Sequence, residues 1–335
     1  MNTLLDPAIL FFVFGVLAGT AKSNLEIPPA ISRFLSLYLL MALGLKGGFA
    51  LSHSGLTASV GISLVAAVSL AIIVPIIGFS ILRKFVSDFD AVSVAATYGS
   101  VSAVTFVTTV QYLENNHIPF GGHMTAAMAL MESPAIILAV IYANTLRQKA
   151  SPEVLPVGGN ALAISGQPLK GGVSLGKILH ESFTDGAQLL LLGAMAVGFI
   201  TGDAGKSAMQ TFSGDLFKGM LSFFLLDMGL MVARNIPQIK DKSPRLIGYA
   251  VIAPILHASL AFGLAFLLGL PAGDGALLMV LAASASYIAV PAVLRYAIPE
   301  ANPSLYFGLS LGITFPLNIL IGIPVYVGIA QHFLR

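Results

Sequence analysis

Cysteine is absent from this 335-residue chain, and charge is scarce: 10% of its residues are Asp, Glu, Lys or Arg. The first absence excludes disulfides, thiolate metal sites and thiol catalysis. The second excludes a water-facing globule, because a soluble domain carries about 25% charged residues. With 56% hydrophobic residues and a mean hydropathy of +0.90, the composition is that of a polytopic membrane protein. A net charge of +2 without a concentrated basic tract gives no reason to expect a nucleic-acid partner. No basic residue lies between Met1 and Asp6, so no cleaved signal peptide is expected. Soluble-enzyme motifs are missing too. Gly205-Lys206-Ser207 has Ile200 where a phosphate-binding loop needs glycine, and neither a GxSxG elbow nor an HExxH helix occurs. The chain is therefore not expected to be an enzyme, and any transport is expected to be secondary or passive.

What is present is a set of long apolar runs. A helix needs roughly 20 apolar residues to cross the hydrocarbon core. Ten such spans are expected, over 7–22, 28–45, 56–82, 91–113, 122–146, 182–201, 212–233, 244–269, 274–297 and 303–333. Pro75 and Pro254 predict kinks in spans 3 and 8. The polar stretch from Arg147 to Lys177, rich in Pro and Gly, is expected to lie within a cytoplasmic linker over 147–181. It divides a first five-span unit, 1–146, from a second, 182–335. With the N-terminus outside, the predicted outer loops hold only Lys46, Lys206, Lys218 and Arg335 of the 17 Lys and Arg residues. That bias places both termini outside and the linker in the cytoplasm.

The two units also repeat. Gly99-Ser100-Val101-Ser102 precedes Ala283-Ser284-Ala285-Ser286 by 184 residues, and Leu43-Gly44-Leu45 precedes Met228-Gly229-Leu230 by 185. Ser133-Pro134 precedes Phe315-Pro316 by 182. An odd number of spans per unit turns such a repeat into an inverted one, with interrupted helices around a midplane site. The fold class expected is all-α, ten transmembrane helices as a 5+5 inverted repeat, with spans 4 and 9 broken and crossing.

The chemistry follows from those breaks. Gly99 costs about 1 kcal/mol of helix propensity relative to Ala. Unwinding there leaves backbone N–H groups that need partners in hydrocarbon, and the next half-helix presents its positive end. Ser and Thr hydroxyls donate to the same ligand, which suits a small anion. Taken alone, the Gly, Ser and Ala residues of span 4 equally suit close helix packing. The matching run in span 9, with Pro291 removing a further donor, favours a substrate site. Glu132, in mid-span 5, costs about 2.5–3.5 kcal/mol at depth and is a functional candidate, as a sodium ligand, a proton carrier or a hydrogen-bond partner. Its repeat counterpart is Thr314. Asp227 is expected to pair with Arg234, Lys46 to snorkel toward the outer interface, and His257 to pack with a hydrogen bond. His117 and His123 alone make a weak metal signal.

Several runs resemble the sodium-dependent bicarbonate transporters of cyanobacteria (SbtA type): Ile252 to His257, Ala282 to Ser286 and Leu294 to Ser304. Span 4 is similar through Gly99, Val101, Ser102 and Thr105, as are Pro134 to Asn144, Met228-Gly229 and Ile329-Ala330-Gln331. The resemblance covers nearly the whole chain apart from the linker. It implies a homotrimer in the cell inner membrane, with a gate domain of spans 1–2 and 6–7 and a core domain of spans 3–5 and 8–10. Bicarbonate would bind where spans 4 and 9 cross, Na+ would drive an elevator-like movement, and a PII-like protein would dock on the cytoplasmic side. Carried over by position, the site uses Ser100, Ser102, Thr105, Glu132, Ser284 and Ser286, with Glu132, Ser102 and Ser286 toward the cation. Two positions depart from the cyanobacterial pattern: Glu132 and Tyr287 each stand where that pattern has Asp. Tyr287 brings a neutral hydroxyl that can hydrogen-bond an anion, and with these departures the chain looks like a member from outside the cyanobacteria. The first reading is sodium-coupled uptake of bicarbonate. The alternatives are a sodium-coupled carrier of a small organic carboxylate and a membrane sensor or anchor that transports nothing.

Overall fold

Inside a bilayer the backbone must satisfy its own hydrogen bonds, and a chain with this composition does so by coiling. The computed structural model describes residues 6–55, 57–150, 186–240 and 242–334, and among these no strand occurs. The helices are α1 (Pro7–Thr20), α2 (Pro29–Ser54), α3 (Ala58–Leu82), α4 (Asp88–Gly99), α5 (Ala103–Asn115) and α6 (His123–Ala150). They continue as α7 (Gly186–Ala208), α8 (Phe217–Lys240), α9 (Pro244–Leu268), α10 (Ala272–Ala283), α11 (Ala289–Ala297) and α12 (Pro303–Phe333). Among the described residues, eight helical segments are long and apolar enough to cross a membrane, counting α4 and α5 together; α1 and α10 are shorter apolar helices. The protein is a multi-pass membrane protein.

Local chemistry sets the ends. Asp6 caps α1 through the Ala8 amide at 2.9 Å, and Thr57 caps α3. Prolines open α1, α2, α9 and α12, where the missing N–H costs nothing. Two expected boundaries move. α2 continues to Ser54, nine residues past the expected end of span 2, because Lys46 finds partners inside the protein. α6 runs through Arg147 to Ala150, four residues past the expected end of span 5, so the first residues assigned to the linker are helical. Its remainder, over 151–181, lies outside the described residues. α12 contains two π-turns, Ser310–Thr314 and Asn318–Gly322. They widen the helix just before Pro316 and Pro324, whose rings would otherwise meet the preceding turn.

Packing contacts recur in pairs. α1 lies along α8 and α2 along α7; α3 packs on α4, as α9 packs on α10. The α1–α8 and α2–α7 pairs touch backbone to backbone. A Cβ on Gly229 would strike α1 near Val16 and Gly15, and one on Gly198 would lie 2.6 Å from the Leu45 carbonyl. Two carboxylates act alike at the starts of the broken segments: Asp90 Oδ1 accepts the Asn302 amide at 2.7 Å, and Asp274 Oδ1 accepts the Gly121 amide at 2.6 Å. Asp90 and Asp274 occupy corresponding places in the two sequence repeats, and each ties down the loop that leads into α12 or α6.

Candidate solute-binding site

The two sequence breaks are breaks in the structure. α4 stops at Gly99 and α5 starts at Ala103; α10 stops at Ala283 and α11 starts at Ala289. Between them the backbone is extended at Ser100, Ser102 and Ser284. The breaks are bonded to each other across the fold. The Ser286 amide donates to the Thr97 carbonyl at 2.8 Å, and the Ser102 amide donates to Ser284 Oγ at 2.9 Å. Each break therefore satisfies backbone groups that the other exposes. They meet at the seam between two apolar clusters, one holding Val101, Val104 and Tyr287, the other Tyr98, Ala285 and Val290.

A cavity of about 220 Å³ opens beside this crossing. Of the residues singled out in the sequence, Ser102, Glu132, Ser286 and Tyr287 line it. Ser100, Thr105 and Ser284 stand behind it as supports. Ser100 Oγ donates to the Glu132 carbonyl at 3.3 Å, holding the break against α6. Ser284 Oγ donates to the Leu281 carbonyl at 2.8 Å while it accepts from Ser102, so it has no hydrogen left for a ligand.

The lining hydroxyls have the opposite balance. Ser102 Oγ accepts from the Thr105 amide at 3.2 Å and from Thr105 Oγ1 at 3.0 Å. Both its lone pairs are engaged, which leaves its O–H as a donor. Ser286 Oγ accepts from the Val290 amide at 3.2 Å and also keeps its O–H. The Tyr287 hydroxyl is buried beside the Ser102 hydroxyl, its hydrogen-bonding neighbour, in a contact short of full hydrogen-bond geometry. In the first turns of α5 and α11, the amides of Ala103, Val104 and Ala289, all at the cavity, have no acceptor among the described residues. The helix ends thus add partial positive charge to a cluster of donors. Facing them is one carboxylate, Glu132, whose Oε2 accepts from Gln188 Nε2 at 2.7 Å.

Gln188 is a site residue that the sequence reading missed. It sits at the start of α7, and nothing within 20 residues of it marks its partner; the partner lies on α6, 56 residues earlier. A buried amide in an otherwise apolar span was the one available signal. Behind the breaks a second polar chain is also new. Thr314 Oγ1 donates to the Ala250 carbonyl at 2.8 Å, so the Tyr98 hydroxyl donates to Thr314 across 2.6 Å. Asn318 Nδ2 holds the Ala283 carbonyl at 2.8 Å, where α10 ends.

Three other expectations are corrected. Asp227 accepts a hydrogen bond from Ser32 of α2, and Arg234 acts on it only from beyond ion-pair distance, by its charge. Lys46 does not stand alone at the interface: its ammonium lies 3.0 Å from the Glu114 carboxylate and 4.0 Å above the Phe217 ring. His123 has a carboxylate neighbour after all, Asp274, at 3.6 Å. No group of three His, Cys, Asp or Glu side chains suited to a metal occurs among the described residues.

No curated protein matches the chain. Residues 7–331 match a family model described as the Na+-dependent bicarbonate transporter superfamily. That match covers both breaks, the cavity and every helix that frames them, and the chain belongs to the Na+-dependent bicarbonate transporter superfamily.

Proposed function

We propose that the protein is a secondary active transporter that carries bicarbonate into the cell together with sodium. One observation supports this above the rest: two helix breaks 184 residues apart are bonded to each other and turn unspent donors toward one cavity, opposite a carboxylate. Bicarbonate oxygens fit the Ser102, Ser286 and Tyr287 hydroxyls and the exposed amides of α5 and α11. Glu132 supplies the negative charge for sodium. Because Ser102 and Ser286 have O–H groups to give, they suit the anion better than the cation. Binding both ions together offsets their charges, so neither enters the apolar interior alone.

The ten-span, inverted 5+5 arrangement belongs to this proposal. The paired packing of α1–α8 with α2–α7, and of α3–α4 with α9–α10, supports it, as do the matching roles of Asp90 and Asp274. The glycine-mediated α1–α8 and α2–α7 contacts suit a fixed gate domain, against which spans 3–5 and 8–10 move. A homotrimer in the inner membrane, with both termini outside and a PII-like protein on the cytoplasmic face, follows from the family resemblance.

Tyr287 and the size of the cavity favour a second reading, sodium-coupled uptake of a small organic carboxylate. About 10–15 Å³ in this measure admits a water, so 220 Å³ leaves room for more than bicarbonate and one cation. Uptake of radiolabelled bicarbonate into proteoliposomes tests both readings. Accumulation driven by an inward sodium gradient, and resistant to excess acetate, is expected. Displacement by acetate selects the carboxylate, and no accumulation of either anion under any gradient selects a sensor and overturns the transport reading.

A further inference from the structure

A second polar cavity, of about 430 Å³, lies farther along α2, α5 and α6 than the central one. The central cavity is lined by Leu40, Val104 and Met128 of these helices; the second is lined by Lys46, Glu114 and Thr125. A buried apolar layer containing Leu43, Val107 and Ala127 lies between the two levels. Three lysines line the second cavity: Lys46, Lys206 and Lys218. They are three of the four basic residues that the charge bias assigns to the outer side, which is otherwise poor in positive charge.

Their partners are unequal. Lys46 is held by Glu114, and His53 by Asp203 at 2.8 Å. Lys206 and Lys218 enter no ion pair among the described residues. Lys206 sits in the last turn of α7, where a cation suits the helix dipole. Lys218 sits at the start of α8, three residues after Asp215, and its side chain is exposed. Asp215, the other acid of the lining, accepts from Gln210 at 3.3 Å. Among the lysines and carboxylates that line the cavity, three ammonium groups face two carboxylates, while His53 and its Asp203 partner form a separate pair.

We propose that this cavity is a second, outer site for a small oxyanion, with Lys206 and Lys218 drawing the anion in and Lys46 shared between it and Glu114. The anion would wait there, one apolar layer from the central site. The oxyanion's identity as bicarbonate or carboxylate rests on the transport reading above; the site's charge selectivity does not.

The absence of cysteine provides the test, because any introduced thiol is unique. Ala50 lines the cavity and is half-buried. In full-length Ala50→Cys protein, the rates of modification by an anionic and a cationic methanethiosulfonate are compared at low salt. The anionic reagent is expected to react faster than it does with a free thiol, relative to the cationic one. Adding Lys206→Gln and Lys218→Gln, both at exposed positions, should lower the anionic reagent's rate about three- to tenfold and raise the cationic reagent's, the scale set by two unit charges about 8 Å away in water. Bicarbonate or formate should slow modification in the parent and not in the double variant. A ratio that ignores the lysines, or equal modification with and without these anions, overturns the outer site. Sodium-driven uptake is measured separately on the same protein. Loss of uptake with charge selectivity intact strikes the transport reading and leaves the outer site standing.

Discussion

The two helix breaks share a backbone plan and differ in what they spend their side chains on. The first is three residues long, begins at a glycine and ends in a self-capped helix, with Ser102 holding the Thr105 amide. The second is five residues long, begins after an alanine and leads into α11, which Ser286 holds only through Val290. Beside the first stands the charged Glu132; at the corresponding place beside the second stands Thr314, bonded to Tyr98 and Ala250. Two openings in the hydrocarbon-spanning backbone recur at matching places in the sequence repeat. Divergence then gave one the charge and the other an aromatic hydroxyl. In the proposed function, that difference is what lets one opening take the cation and the other the anion.

The difference is sharpest at the two residues that end the first half-helices. A Cβ on Gly99 would lie 2.6–2.7 Å from three ring atoms of Pro75, and a proline ring inside α3 cannot swing away. Its counterpart Ala283 already carries a Cβ. Gly99→Leu is expected to abolish uptake and to lower thermal stability by more than the about 1–3 kcal/mol typical of overpacking. Gly61→Leu, at a glycine with open space around it, should leave both unchanged. Equal tolerance at the two sites, read by size-exclusion thermostability and by uptake, would count against a tightly supported first break.

Next in size is the charge that only the first half carries. Glu132→Gln keeps a group able to bond Gln188 and removes the carboxylate. Half-saturating sodium for uptake should rise about tenfold or more, equivalent to about 1.4 kcal/mol. An unchanged sodium response would remove Glu132 from the cation site. Smaller again is the contrast between supporting serines. Ser284→Ala strips the buried Ser102 amide of its acceptor and should cost about 1–3 kcal/mol, whereas Ser100→Ala loses one long bond and should cost about 0.5–1.5 kcal/mol. Thermal unfolding of the two variants in one detergent orders them; the reverse order would mean that the breaks do not depend on each other.

Much of this was legible in the sequence because helix-breaking chemistry is local. Gly99 with its serines, Ser284 to Pro291, and the prolines at 29, 244 and 303 each fixed a boundary within a few residues. What escaped depends on distant partners. Lys46 looked like the end of a span because a lone lysine in hydrocarbon is unstable, but Glu114, 68 residues away, neutralises it and α2 continues. Asp227 looked like a partner for Arg234 seven residues on, yet Ser32 across the α2–α8 contact took its oxygen. Gln188 had no visible role until α7 was laid against α6. The sites of hydroxyls were readable; whether each hydroxyl had a hydrogen left to donate was not, since that is decided by bonds between halves.

Tyr287 carries the comparison to a single atom. Its ring is packed edge-on against Phe315 at 5.1 Å, and Phe315 in turn meets Phe12 of α1 at 5.6 Å, so the side chain is held in place without its hydroxyl. A buried hydroxyl held only loosely, beside Ser102, costs stability, and proteins seldom keep one without a use. Tyr287→Phe removes that cost along with the oxygen. The variant should be as thermostable as the parent or slightly more so, by under about 1 kcal/mol. Its KM for the transported anion should rise about five- to tenfold, the equivalent of about 1–1.4 kcal/mol and of one hydrogen bond, with the sodium response unchanged. A KM that stays put would make the hydroxyl a remnant of sequence divergence. A shift in sodium response instead would place it with Glu132 on the cation side and dissolve the division of labour between the two breaks.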